Sequence, residues 1–137
     1  MMVIDSSALI AILFEDREGL DCIRVLEAAS SRSLSAVNYV ETGTVLAGRL
    51  NKGQRSNAID LLNDFLATLR IDIAPIDEDL ARAAMTARLN HGKGFGTRGG
   101  LNFGDCFAYA LAKRHSAPLL YVGNDFARTD VQSALAR

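Results

Sequence analysis

The chain alternates short strand-like runs with longer segments in which apolar side chains recur every three or four residues. Short runs bounded by turn residues predict strands, and the longer periodicity predicts helices. The predicted strands are Met1–Ile4, Ser33–Ser35, Ile71–Ala74 and Leu119–Val122. The predicted helices are Ala8–Phe14, Glu18–Ala29, Ala36–Leu50, Gln54–Leu69, Glu78–Leu89 and Phe103–His115.

This alternation predicts the fold class. Short strands separated by helices indicate an α/β fold, with a short-stranded, mainly parallel sheet flanked by helices on both faces. Polar residues mark the expected helix starts, and the candidate caps are Ser6 or Ser7, Asp16, Asp77 and Asn102. In such a sheet ligands gather at the carboxyl ends of the strands, so functional residues are expected there.

Length and composition limit the class of protein. The chain has 137 residues, 49% of them hydrophobic and 23% charged, which predicts one folded domain over residues 1–137 and excludes a disordered chain. Cys22 and Cys106 lack CxxC spacing, so each is expected to be a small buried residue, without a disulfide or zinc site. The sequence shows neither a signal peptide nor a membrane span, and we expect a cytoplasmic protein.

The charge of the chain is balanced overall but uneven along its length. It has 15 basic and 16 acidic residues, a net charge of -1. The segment from Leu80 to Asn124 nevertheless holds six basic residues and one acid, Asp105, a local net charge of +5. This segment is either a source of contacts to phosphate or an ordinary solvated face. Its basic residues are Arg82, Arg88, Lys93, Arg98, Lys113 and Arg114.

The basic segment contains a glycine-rich loop from Asn90 to Gly100. No Gly-Lys-Ser/Thr closes the loop and it follows a predicted helix, so it does not match a phosphate-binding P-loop. It is either an ordinary surface loop or a mobile flap that brings Lys93 and Arg98 to a polyanion.

Four acids lie where such a fold collects ligands. Asp5 follows the first strand, Asp125 follows the last, and Asp105 comes three residues after the cap Asn102. Glu41 lies in the second turn of the third predicted helix, and the valines four residues to either side predict that it faces inward. Each acid alone has an ordinary explanation, as a turn residue or a partner of a helix dipole. Together they suggest that the four carboxylates lie close to one another in the folded chain.

Converging carboxylates repel one another and take up protons unless a cation lies among them. A set of oxygen ligands without His or Cys suits Mg²⁺ or Mn²⁺. The sequence therefore predicts a divalent-metal site built from these acids.

Four segments resemble, in order and spacing, the PIN-domain family, and more closely the VapC-type toxins of bacterial toxin–antitoxin modules. The resemblance extends over essentially the whole chain. The segments are Val3–Ala8, Ser35–Glu41, Leu101–Ala110 and Leu119–Phe126.

The resemblance implies a Mg²⁺- or Mn²⁺-dependent endoribonuclease that cuts RNA, is held inactive by a cognate antitoxin and forms a homodimer. Asp5 and Asp105 would be the central metal ligands, with Glu41 as the third acid. The fourth acid is expected to be Asp125, with Asp130 as the lesser candidate. Ser6 would orient a metal-bound water or a ligand.

Other functions remain open at this point. They are a PIN-type nuclease that is not a toxin, and an α/β ligand-binding module without catalysis. Asp5 is followed by two serines, which argues against an aspartyl phosphotransferase, and no Gly-x-Ser-x-Gly motif indicates a serine hydrolase. Phe95 and Phe103 are candidates for stacking on an unpaired base, although core packing is expected for Phe103.

Overall fold

The computed structural model of the protein describes residues 1–95 and 100–135, and its elements follow the predicted order. The strands are β1 (Met2–Ile4), β2 (Arg32–Ser35), β3 (Ile71–Ala74) and β4 (Leu119–Leu120). The α-helices are α1 (Ser6–Leu13), α2 (Gly19–Ala28), α3 (Ala36–Gly48), α4 (Asn57–Thr68), α5 (Glu78–His91) and α6 (Phe103–Arg114). A 3₁₀ turn, Lys52–Gln54, precedes α4. Each predicted strand and helix is present, with ends that differ by a few residues.

The strands form a parallel sheet in the order β3-β2-β1-β4. Val3 of β1 pairs with Ser33 on one side and Leu119 on the other, so β1 is an interior strand. The chain builds outward from β1 to β2 and β3 and then returns to add β4 on the opposite side. That reversal creates a switch point beside β1, where α/β folds place their ligands.

The two faces of the sheet bury separate apolar clusters. Met2 and Ile4 point to one face and belong to a cluster with Leu62 of α4, whereas Val3 points to the other face and belongs to a cluster with Leu111 of α6. Alternate side chains of a strand point to opposite faces, and each fully buried aliphatic side chain contributes about 1.5–3 kcal/mol. The predicted α/β class with helices on both faces is confirmed.

Two of the predicted helix caps are confirmed. The Asp77 carboxylate accepts a hydrogen bond from the backbone N–H of Leu80 (2.8 Å) at the start of α5. Asn102 directly precedes α6, as its side-chain type predicts.

Two other predicted caps are wrong. Asp5, and neither Ser6 nor Ser7, caps α1, because its extended backbone lets the helix begin at Ser6 itself. Glu18, and not Asp16, directly precedes α2, where no side chain caps the helix. Serine and aspartate are both competent caps, and at α1 the extended backbone of Asp5 puts the aspartate at the N-cap position.

The glycine-rich loop is closed at its base. Gly92 and Leu101 form an isolated bridge, in which the N–H of Lys93 donates to the carbonyl of Leu101 (2.9 Å). Lys93 is exposed, as the predicted flap requires, whereas Arg98 lies outside the described residues.

Both cysteines are buried, as predicted. Among residues 1–95 and 100–135, no helix combines the length and the apolar character needed to cross a membrane.

Candidate active site

Asp5 lies at the carboxyl end of β1, at the switch point of the sheet. Its N–H continues the sheet by donating to the carbonyl of Leu120 (2.9 Å), and its Oδ2 accepts from the N–H of Ser7 (3.0 Å). The residue is 3% exposed, and its Oδ1 has no hydrogen-bond partner among the described residues. A buried carboxylate oxygen without a donor is costly, so this atom requires a proton or a cation.

Asp105 is presented to the same region by the first turn of α6. Its Oδ2 accepts from the N–H of Asn102 (2.9 Å), which fixes the carboxylate at the start of the helix. The residue is 8% exposed. The lone acid of the basic segment is thus buried, and it does not belong to the solvated face.

Glu41 is half-buried on α3, and its Oε1 accepts from the hydroxyl of Ser6 (2.8 Å) and from Nδ2 of Asn38 (2.9 Å). The predicted inward orientation of Glu41 was argued from its flanking valines, and the structure shows a different cause. The buried face of α3 carries Asn38, Thr42 and Leu46, whereas the row with Glu41 and its flanking valines borders a cleft. Glu41 is held by polar contacts at the edge of the core.

Two residues that position Glu41 were missed by the sequence analysis. Asn38 is fully buried, and its Nδ2 also donates to the carbonyl of Gly104 (3.1 Å), which ties α3 to α6. A Cβ at Gly104 would overlap the carboxylate of Glu41, so glycine is required for this approach. The available signal for Asn38 was its position three residues before Glu41 on the same helix, a spacing at which side chains can meet.

The two candidates for the fourth acid have different surroundings. Asp125 is exposed, and its charge is among those that raise the pKa of Asp105. Asp130 instead accepts hydrogen bonds from the hydroxyl of Tyr109 (2.5 Å) and from Nζ of Lys113 (2.9 Å), which lower its pKa to about 2. Of the two candidates, Asp125 therefore contributes to the raised pKa of Asp105, whereas Asp130 is paired with Tyr109 and Lys113.

The acids perturb one another's protonation. Burial raises the pKa of Asp105 to about 7, and the charges of Asp5, Asp125 and Glu41 contribute to the rise. Burial also raises the pKa of Asp5 to about 6, with a further contribution from Glu41. Strongly shifted carboxylates in one region are typical of functional sites, and here they indicate a concentration of negative charge that a cation would relieve.

The residues present fit a divalent cation in their chemistry. Within residues 1–95 and 100–135, no three His, Cys, Asp or Glu side chains already surround one point as metal ligands. However, Mg²⁺ keeps several waters and commonly binds through one or two carboxylates. The free Oδ1 of Asp5, the neighbouring Asp105 and the purely oxygen donor set meet that requirement.

Comparison with known proteins identifies the family of this chain. The family model described as PIN domain matches residues 2–132. The chain belongs to the PIN-domain family. Among curated PIN-domain relatives, ribonuclease VapC28 of Mycobacterium tuberculosis is 41% identical over 137 residues, which cover 99% of each chain. The predicted resemblance to VapC-type PIN proteins is confirmed.

Solved structures with lower sequence identity share this PIN fold. Mycobacterium tuberculosis VapC20, described as a sarcin-ricin loop cleaving toxin, matches with a TM-score of 0.75 at 16% identity, over 99% of this chain and 100% of that one. A chain of a toxin–antitoxin complex from Klebsiella pneumoniae matches with a TM-score of 0.68 at 19% identity, over 100% of both chains.

Several cations of the basic segment of this PIN domain are paired with acids. Arg82 bonds to Glu78 (2.6 Å), Arg114 to Asp77 (2.7 Å) and Lys113 to Asp130 (2.9 Å). Such exposed pairs contribute little to stability and are screened by salt, so a phosphate can compete for their cations. The local charge of +5 therefore overstates the positive charge that this segment presents to a ligand.

Proposed function

We propose that this protein is a Mg²⁺- or Mn²⁺-dependent endoribonuclease that acts as the toxin of a toxin–antitoxin pair. The observation that carries the proposal is the acid set at the switch point, where Asp5 and Asp105 are buried with raised pKa values and Oδ1 of Asp5 lacks a partner. A full-length relative that is named a ribonuclease supports RNA as the substrate.

In this proposal Asp5 and Asp105 hold the ion. Each uses Oδ2 to accept a backbone N–H, so both carboxylates keep a fixed orientation without help from the metal. A divalent ion held there would supply Lewis-acid chemistry, by making a water more acidic and offsetting charge on the phosphoryl oxygens.

Glu41 positions the attacking water or accepts its proton. Its Oε1 is committed to Ser6 and Asn38, which leaves Oε2 to accept a hydrogen bond from the water. Ser6, predicted to orient a metal-bound water, would therefore act on it through Glu41. Asp125, at the exposed edge of the set, would hold the water or a second ion.

The proposal includes two protein partners, a cognate antitoxin and a second copy of this chain. A solved toxin–antitoxin complex among the fold relatives supports an inhibitory antitoxin, and a homodimer follows from the family resemblance.

Chelation tests the activity directly. The purified protein is incubated with a mixed single-stranded RNA pool and Mg²⁺ or Mn²⁺, and the new RNA ends are mapped. We expect defined ends that disappear with chelator and return when the metal is restored, because the acids need the cation to bind phosphate. Cleavage that persists in chelator, or in the Asp5→Asn variant, would contradict the proposal.

Expression in cells separates the related functions. A toxin should arrest growth, and a small co-expressed partner protein should relieve the arrest. Cleavage in vitro without arrest would instead indicate a nuclease that is not a toxin, and RNA binding without cleavage would indicate a non-catalytic module.

A matched pair of variants tests the fourth acid. Asp125→Asn is expected to lower kcat/KM about 10- to 100-fold, since it removes a charge from the metal region. Asp130→Asn should leave it nearly unchanged, because Asp130 bonds Tyr109 and Lys113. The reverse result would assign the role to Asp130.

A further inference from the structure

Phe103 is a large apolar side chain that the core does not use. It is the first residue of α6, two positions before Asp105, and is 60% exposed. The expectation that it packs in the core is therefore wrong. Single exposed apolar side chains are common, so the surroundings of this ring must indicate whether it serves a ligand.

Neighbouring side chains support the ring. The guanidinium carbon of Arg88 lies over it, 5.9 Å from the ring centroid, and also over the ring of Phe95 at 5.5 Å. The ring of Phe107 packs against it at 5.2 Å with a 58° tilt. These contacts hold the ring in place and put a cation beside it.

The ring also borders a cleft that Glu41 lines. This cleft has a volume of about 590 Å³ and runs along α3, where Val40 and Val45 contribute apolar walls. Glu41 is the one charged lining residue among those that the structure describes. A flat apolar group against Phe103 would thus lie beside the carboxylate that we assign to the attacking water.

We propose that Phe103 is a stacking site for an unpaired base of the RNA substrate, adjacent to the phosphate that is cut. The inference rests on the proposed ribonuclease function and deepens it. Base and ring share a flat apolar face, and the Arg88 charge beside the ring suits the phosphate that accompanies every base. A phosphate chain is also what the acid set would bind through its cation. This combination favours a nucleotide over an apolar protein segment.

The test distinguishes stacking on the aromatic face of Phe103 from simple filling of space by its side chain. The probe is an RNA oligonucleotide that the wild type cleaves in the mixed pool, used intact or with an abasic site on either side of the cleaved bond. Phe103→Leu should lower kcat/KM about tenfold on intact RNA, mainly through KM, and Phe103→Tyr should keep it within about twofold of wild type. On RNA that lacks the stacked base, Phe103→Leu and wild type should cleave equally. The control is Leu20→Ala on α2, a site with 67% exposure that does not line this cleft, which should match wild type throughout.

The outcomes distinguish this inference from the function on which it rests. If the wild type cleaves no RNA, the proposed function fails. Base stacking is overturned if the wild type cleaves RNA but Phe103→Leu lowers kcat/KM by the same factor on abasic and intact RNA. It is also overturned if Phe103→Leu leaves kcat/KM unchanged on both. Unchanged RNA cleavage together with lost inhibition by the antitoxin would assign Phe103 to a protein interface instead.

Discussion

Asp105→Asn is expected to abolish RNA cleavage, by at least about a thousandfold in kcat/KM, and to stabilise the metal-free protein at pH 8. The amide lacks the negative charge that a divalent cation needs. Its oxygen can still accept the hydrogen bond from the N–H of Asn102 that fixes this side chain. The expected result is a folded, inactive protein, because the substitution removes charge and little packing.

The gain in stability follows from the pKa of Asp105. In the folded protein this pKa is raised to about 7 from 3.8, so the native state holds a proton that the unfolded chain loses near pH 4. The contribution of protonated Asp105 to folding stability is fully present below pH 4 and is lost as the pH rises through 7. At pH 8 the ionised carboxylate costs on the order of 2–4 kcal/mol. The pKa of Asp5 is also raised, to about 6, so this residue further lowers the stability of the metal-free protein as the pH rises.

Denaturant unfolding in chelator at pH 5 and pH 8 measures this effect. The wild type should lose stability between these pH values, Asp105→Asn should lose less, and added Mg²⁺ or Mn²⁺ should stabilise the wild type selectively at pH 8. Asp130→Asn is the matched control, because Tyr109 and Lys113 lower the pKa of Asp130. It should not be stabilised at pH 8. Equal pH dependence in wild type and Asp105→Asn would contradict the proposed charge concentration.

The fold could be predicted from the sequence because strand and helix periodicities are local. Met2, Val3 and Ile4 alternate between two apolar clusters, and α4 and α6 each bury an apolar stripe, so hydrophobic spacing was sufficient. The acids were located because strand ends and helix starts can be found from those same elements. Their approach to one another depends on the order of the strands, which periodicity does not encode.

Periodicity could not identify the polar residues that the core uses. On α3 the buried row contains Asn38 and Thr42, whereas Val40 and Val45 are exposed. A hydrophobic pattern therefore selects the wrong face of this helix. Burial of Asn38 is tolerated because its side chain is hydrogen-bonded to Glu41 of the same helix and to Gly104 of α6. The contact to Gly104 joins residues 66 positions apart, which a local pattern does not show.

The positive charge of the basic segment was overestimated because the partners of several of its cations lie outside that segment. The segment from Leu80 to Asn124 looks strongly basic because the acids that pair with its cations lie just outside it. Arg114 bonds Asp77, 37 positions earlier in the chain. This pair forms because α6 packs beside the start of α5, which a count of charges along the sequence does not show.

Gly104→Ala is expected to lower kcat/KM at least about a hundredfold while leaving the protein folded. The new Cβ would overlap the carboxylate of Glu41. Because this group is the end of a flexible side chain beside an open cleft, it can move aside at small cost to folding. Moving it breaks the hydrogen bonds from Ser6 and Asn38 that orient Glu41.

Gly48→Ala, at the end of α3, provides the matched control. A Cβ there meets nothing within 4 Å, and alanine is favoured over glycine in a helix by about 1 kcal/mol, so this variant should cleave RNA like wild type with equal or higher stability. In a Glu41→Ala background, Gly104→Ala should cause no further loss of kcat/KM, since the displaced group is gone. Full activity of the single Gly104→Ala variant would show that the position of Glu41 does not matter for cleavage, and would remove it from the proposed mechanism.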